Sequence, residues 1–298
     1  MKKDILVNEV FENIDQELIK KGIPITSRYM EAIGDVSRYF NNERIPISPN
    51  SLLPENDFGN QLCIWLHQWY DHKYGDNQKY NSDLGFLYHK IRGDLWFYRV
   101  PEFYGCCNFF ISKKLEDTGC DNETNILRMS PKMTQVYIDS LNETECIEIS
   151  ISFQSALDAF QILNGWRLVK IPYYQAIRAD LKTITIQLDV HISNFGQVRW
   201  AYMQCAEKIL KSWLLKAGLT EKELRNQKKF GHKIDNLVNA FNEYYVEKVS
   251  TQNLDYITCG ANARYDDNSY ESEDIVKAQK WLFDMVKAID FKPSLATR

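Results

Sequence analysis

The stretch from residue 197 to residue 216 constrains the fold most, because its apolar residues recur at the spacing of one face of an α-helix. That face consists of Val198, Tyr202, Cys205, Ile209 and Trp213. Gly218 ends the pattern, and Thr220 and Glu223 have the spacing of a capping box that begins another helix. The stretch therefore predicts a long amphipathic helix, which must bury its apolar face against neighbouring elements.

The remainder of the C-terminal part is also predicted to be helical. Two more apolar faces are formed by Ile234, Leu237, Val238 and Phe241, and by Ile275, Ala278, Leu282, Met285, Val286 and Ile289. The Ser272-Glu-Asp segment is predicted to cap the last helix. Residues 184–192 fit both a strand alternation and a helical period, and the longer helical tract favours a helix. Short links between such helices predict an antiparallel bundle of four to five helices over residues 173–298.

The N-terminal part, residues 1–172, predicts a mixed α/β region. Apolar residues have helical spacing within residues 7–19, 29–40 and 58–74. Residues 95–100, 109–111 and 146–152 have the aromatic and β-branched or alternating pattern of strands, and residues 155–163 that of a short helix. The predicted class is mainly α, or α+β overall, with domains at 1–172 and 173–298.

Composition argues against several classes of protein. With 44% hydrophobic and 26% charged residues, the chain has the make-up of a globular protein. No apolar run reaches the roughly 18 residues of a membrane span, and the first residues do not form a signal peptide. The 7 cysteines are scattered without a Cys-x-x-Cys pair, which argues against a disulfide framework or a zinc site. We therefore expect a cytoplasmic protein with no metal, no cofactor and no membrane partner.

Charge is distributed unevenly along the C-terminal part. Residues 199–233 contain nine basic and three acidic side chains, whereas residues 234–290 contain five basic and eleven acidic ones. The first region would attract an anionic partner such as RNA or a nucleotide, although such charges also pair within helical proteins. The candidate phosphate contacts are Lys208, Lys211, Lys228 and Lys229. Arg264 and Tyr265 are two further candidates, in which the guanidinium would bind a phosphate and the ring would stack on a base. The alternative is that Arg264 pairs with an acidic neighbour and Tyr265 packs in the bundle.

Three blocks of this part resemble HEPN domains. The segment RWAYMQCAEKILKSWLLKAG at 199–218 is similar to their first long helix, A-x-x-A-A-E-K-A-L-K-A-L-L. The segment GHKIDNL at 231–237 is similar to their T-H-D-L-x-x-L helix start, and NARYDD at 262–267 to their A-R-Y-P-D segment before the last helix. The blocks follow the family's order and cover roughly residues 175–290. The resemblance implies a helical bundle, usually dimeric, from a family of ribonuclease toxins, anti-phage effectors and inactive binding or scaffolding proteins.

Nuclease members of that family use an R-x4-6-H motif, in which the arginine holds phosphate charge and the histidine acts as an acid or base. Arg264 is followed by no histidine, and the spacing is met only by Arg225 and His232. These two are the candidate catalytic residues, but they precede a different helix from the family's motif. The alternative is that His232 is a structural residue at a helix start. The departure from the motif favours a degenerate nuclease.

The sequence thus predicts a HEPN-like RNA- or nucleotide-binding protein of the toxin or anti-phage type. One alternative is a metal-independent ribonuclease that uses Arg225 and His232. Another is a non-catalytic, dimeric interaction or scaffold protein. In each case the resemblance implies a homodimer formed through the C-terminal bundle.

Overall fold

The helical periods of the sequence dominate the fold. The structure is a computed structural model, and it describes residues 2–78, 83–103, 106–119, 122–188, 194–226, 229–265 and 269–296. Over these residues the chain is mainly helical, with ten α-helices and four strands. It divides into two units, Met1–Ser82 and Asp83–Arg298. None of the helices in the described ranges has the length and apolar character of a membrane span.

The first unit contains three helices, α1 (Lys2–Lys20), α2 (Ile25–Tyr39) and α3 (Asp57–Tyr74). Its core consists of Val7, Phe11, Leu18, Ala32, Val36, Leu62, Leu66 and Tyr70. The helical segments predicted at 7–19, 29–40 and 58–74 are therefore confirmed. Asp15 is completely buried in this unit, where its carboxylate accepts hydrogen bonds from the hydroxyls of Tyr70 (3.1 Å) and Tyr74 (2.5 Å). Lys73 lies 3.0 Å from the same carboxylate and balances its charge.

The second unit begins with an antiparallel hairpin of β1 (Asp83–Ile91) and β2 (Asp94–Pro101). Its two-residue turn has positive φ at both positions, 51° at Arg92 and 98° at Gly93, as a type I′ turn requires. Two short strands follow, β3 (Asn108–Phe110) and β4 (Glu123–Asn125), which pair in parallel. The strands predicted at 95–100 and 109–111 are confirmed, but they belong to two separate two-stranded sheets.

The strand predicted at residues 146–152 is wrong, because these residues lie in a long helix. A short helix α4 (Gln135–Ser140) is followed by α5 (Glu143–Gly165), which includes the helix predicted at 155–163. Asn142 and Glu145 form a capping box that starts α5. On this helix Ile149 is buried, whereas Ile147 and Ile151 are 58% and 67% exposed. The alternating isoleucines therefore do not mark the two faces of a strand.

The C-terminal helices are α6 (Tyr174–Leu188), α7 (Phe195–Lys216), α8 (Glu221–Leu224), α9 (Ile234–Tyr244) and α10 (Ser272–Ile289). Helix α7 is central, because it packs against α6, α9 and α10. The helix predicted across residues 184–192 is confirmed up to Leu188, and the last four of these residues lie outside the described residues. The capping box at Thr220 and Glu223 is confirmed. The last helix is capped one residue earlier than predicted, at Glu271, whose N–H donates to Asp274.

The predicted domain boundary between residues 172 and 173 lies inside the second unit. The reason is that the hairpin and the C-terminal helices share one core, in which β1 packs against both α5 and α10. The side-chain amide of Gln279 on α10 bonds the backbone of Tyr88 on β1, accepting from its N–H (2.9 Å) and donating to its C=O (2.9 Å). The chain instead divides at Ser82, before the hairpin begins.

Candidate functional site

The lysines of α7 are neutralised within the bundle. Lys208 is paired with Asp180 on α6, and Lys211 with Glu207 one turn before it. Burial raises the pKa of Asp180, although Lys208 acts in the opposite direction. Both ammonium groups are thus already engaged by carboxylates, and a phosphate contact by either lysine stays a prediction.

The other predicted lysine contacts lie in the segment between α8 and α9. Lys228 falls outside the described residues. Lys229 is exposed, and its Nζ lies 4.9 Å from the centre of the Phe230 ring. Three of the four predicted lysines lie in the described part of the chain. Among these three, Lys229 is the one whose ammonium group is exposed and has no ion-pair partner in that part.

The predicted catalytic pair is not brought together. The side chain of Arg225 is 79% exposed and forms an ion pair of 2.6 Å with Glu221. Within the described part of the chain, no hydrogen bond, ion pair or ring contact joins it to His232. The spacing of Arg225 and His232 along the sequence thus corresponds to no shared site.

His232 is instead held by a buried carboxylate. Its Nδ1 lies 2.8 Å from Oε2 of Glu207, whose side chain is only 10% exposed and also accepts from Lys211 and from Gln204 Nε2 (3.1 Å). Because an ionised carboxylate only accepts hydrogen bonds, this contact assigns the proton to Nδ1. The Gln204 amide nitrogen lies 3.3 Å from the same Nδ1, and its hydrogen bond then goes to Glu207. In the neutral ring the lone pair is then on Nε2, the arrangement in which a histidine acts as a base.

Trp200 brings His232 and Arg264 to one place. The His232 ring meets the Trp200 ring edge to face with centroids 5.1 Å apart, and the Arg264 guanidinium lies 4.9 Å from the centre of the Trp200 ring. Tyr265 lies beside Arg264, at 5.3 Å, and is 79% exposed. We refer to Trp200, Glu207, His232, Arg264 and Tyr265 as the Trp200 cluster.

Three segments of the second unit position this cluster. Helix α7 places Trp200, Gln204, Glu207 and Lys211 at a spacing of three to four residues, so that they lie on one face. His232 comes from the turn just before α9. Arg264 and Tyr265 end a 3₁₀ turn, Ala261–Tyr265, in which Arg264 Nε donates to the carbonyl of Ala261 (3.2 Å).

Arg199, the neighbour of Trp200, anchors the loop that precedes this turn. It is 4% exposed, and its Nη2 donates to the carbonyls of Asp255 (2.8 Å) and Thr258 (3.3 Å). Burial lowers the pKa of this guanidinium, and the carbonyls replace part of the hydration that it has lost. Its role is structural, since it joins α7 to the loop that carries Arg264.

Sequence reasoning missed Trp200 and Glu207 as site residues. The signal that could have revealed them is the row of Trp200, Gln204, Glu207 and Lys211 on the polar edge of a helix that is otherwise buried. The described residues contain no group of three or more histidine, cysteine, aspartate or glutamate side chains placed to hold a metal ion.

Comparison of the chain with protein-family models, with curated proteins and with solved structures gives no match. An exposed guanidinium, an exposed aromatic ring and a histidine with a fixed tautomer are groups that contact phosphates, stack on bases and transfer protons, respectively.

Proposed function

We propose that this chain is a HEPN-like protein of the toxin or anti-phage type that binds single-stranded RNA at the Trp200 cluster. The observation that carries the proposal is the position of Arg264, whose guanidinium contacts both the buried Trp200 ring and the exposed Tyr265 ring. Such an arginine is oriented for a phosphate, while the exposed ring offers a face to a base. Single-stranded RNA presents both groups together, because its bases are unstacked and accessible.

Charge supports the same partner. The segment before α9 contributes the exposed ammonium of Lys229, and Arg264 adds a second cation from a different part of the chain. Binding through these groups releases counterions from the RNA, so the affinity should fall as salt rises. A mononucleotide offers one base and little phosphate charge, and it should bind more weakly.

The test is fluorescence anisotropy with a short labelled oligouridylate at low and moderate salt. Tyr265→Ala should weaken binding roughly fivefold to a hundredfold, the loss expected for one stacked base. Arg264→Ala should weaken binding and reduce the salt slope by about one. Arg225→Ala is the matched control, because it removes an equal charge from an exposed arginine that is paired with Glu221. Absence of binding at low salt would overturn the proposal and favour the interaction or scaffold alternative.

A second candidate function, metal-independent RNA cleavage, is favoured by the hydrogen bond between Glu207 and His232. His232 Nε2 would take the proton of a 2′-hydroxyl as its oxygen attacks the adjacent phosphorus, and Arg264, rather than Arg225, would stabilise the charge that develops on the phosphate. The bond from phosphorus to the 5′-oxygen of the next nucleotide breaks, that oxygen takes a proton from water, and a 2′,3′-cyclic phosphate is left. The same samples, incubated with a chelator, test this activity. His232→Ala should abolish cleavage while anisotropy still reports binding, whereas intact RNA with the wild-type protein would rule out the nuclease. The homodimer through the bundle stays a prediction.

A further inference from the structure

A cleft of about 390 Å³ lies between α9 and the segment that joins α7 to α9. Its apolar side is formed by Leu219, Phe230 and Ala240, of which Phe230 and Ala240 are buried. Its volume falls in the range of small-ligand pockets. No pattern in the sequence indicates this cleft, because its walls come from separate segments.

The polar side of the cleft is formed by Glu223, Asn226 and Lys229 of the joining segment and by a row of side chains on α9. Asn236, Asn239 and Glu243 are three and four residues apart and therefore lie on one face of the helix. The Asn236 amide donates to the carbonyl of Lys229 (2.7 Å), which fixes its orientation and leaves its oxygen as an acceptor. Across the ranges that the structure describes, Asn239 and Glu243 make no hydrogen bond or ion pair. The α9 row thus has a fixed amide oxygen, an uncommitted amide and an uncommitted carboxylate, whereas the Glu223 carboxylate across the cleft already accepts from Thr220.

One segment of the chain contributes residues to both the cleft and the Trp200 cluster. Phe230 and His232 are two residues apart, and the bond from Asn236 to Lys229 ties this segment to α9. The segment that presents His232 on one side therefore forms the apolar wall of the cleft on the other. Two residues of chain span at most about 7 Å, so an RNA strand that contacts His232 lies near the Phe230 wall of the cleft.

We propose that this cleft is a guanine-recognition pocket for the RNA, an inference that rests on the proposed function. Carboxylate and amide oxygens are hydrogen-bond acceptors, and they favour the base whose edge has the most donors. Guanine presents a ring N–H beside an exocyclic amine, and a single carboxylate accepts from both. Glu243 takes that role, while the Asn239 amide donates to the guanine carbonyl oxygen. Phe230 and Leu219 form the apolar wall beside the ring.

The experiment compares two labelled oligouridylates that differ only at one central position, which is guanosine in one and adenosine in the other. The wild-type chain should bind the guanosine oligonucleotide roughly fivefold to a hundredfold more tightly, as for one bidentate base contact. A third oligonucleotide with inosine lacks the exocyclic amine and should lose a large part of that preference. Glu243→Gln should remove the preference and leave the affinity for plain oligouridylate unchanged.

The controls separate this proposal from the function on which it rests. Glu221→Gln makes the same chemical change on an exposed glutamate that does not line the cleft, and it should keep the preference for guanosine. Asn239→Ala is a second variant of the pocket and should weaken the preference. Equal binding of both oligonucleotides by the wild type, or a preference that survives in Glu243→Gln, would overturn the pocket while RNA binding stands. No binding of any oligonucleotide would overturn the proposed function and the pocket with it.

Discussion

Gln279→Met is expected to be among the most destabilising single substitutions in the second unit. The Gln279 side chain is 3% exposed, and its amide bonds both the N–H and the C=O of Tyr88. It also lies 3.3 Å from the Tyr202 hydroxyl, so it connects α10, β1 and α7. Methionine has a similar length and volume but no group that replaces these hydrogen bonds.

The magnitude follows from the backbone groups that lose their partner. Removing the partner of a buried donor or acceptor costs about 1–3 kcal/mol, so the two Tyr88 groups together give about 2–6 kcal/mol. The Tyr202 hydroxyl adds less, because its hydrogen bond is longer and the hydroxyl can rotate. For a unit of this size, the loss corresponds to a fall in Tm on the order of 10 °C.

The assay is thermal and urea unfolding of the full chain, with Gln154→Met as the control. Gln154 is exposed on α5, where its amide donates to Asp158, and the same substitution there should be nearly neutral. If Gln279→Met lowered the free energy of unfolding by less than about 0.5 kcal/mol, the amide bridge would contribute nothing of note. The hairpin would then be joined to α10 by apolar packing alone.

Two further outcomes are expected. Asp15→Ala removes the carboxylate that the buried Tyr70 hydroxyl and Lys73 share, and it should lower the free energy of unfolding of the first unit by about 3 kcal/mol. Hydrogen exchange in α1 and α3 measures this loss. Glu17→Ala, on the exposed face of α1, is the control and should leave the free energy of unfolding unchanged. Because burial raises the folded pKa of Asp180 above its ordinary value of 3.8, its protonation stabilises the fold below pH 3.8, and this contribution is lost as pH rises through the folded pKa. Asp180→Asn should therefore flatten that part of the pH dependence in urea titrations, and an unchanged dependence would contradict the burial of this carboxylate.

The helices that bury one face could be predicted from the sequence. The periods over residues 58–74 and 197–216 place α3 and α7 within two residues of their ends, because a repeated apolar spacing reports burial directly. Residues 146–152 show where this reasoning fails. Their alternation is a strand pattern over seven residues, and only the capping box of Asn142 and Glu145 indicates the helix.

The site was less predictable, because its residues meet through tertiary contacts. The R-x4-6-H spacing selects Arg225, yet the arginine that shares a site with His232 is Arg264, and the side chain between them is Trp200. These three come from three segments, and no local spacing relates them. The sequence names His232 as a candidate, and its role stays a prediction. Its carboxylate partner, Glu207, contributes to the sequence analysis only as one negative charge.

Charge counting along the sequence also gave an incomplete account of the surface. The excess of basic residues over 199–233 includes Lys208 and Lys211, whose charges are cancelled by Asp180 and Glu207 inside the bundle. Arg264, the cation of the Trp200 cluster, lies instead in the acidic part of the chain, residues 234–290. A partner responds to the charges that remain exposed after folding, and these are decided by which ion pairs the packed helices form. For this reason the contrast between Arg264 and Arg225, two exposed arginines of equal charge, tests the site more directly than removal of the lysines would.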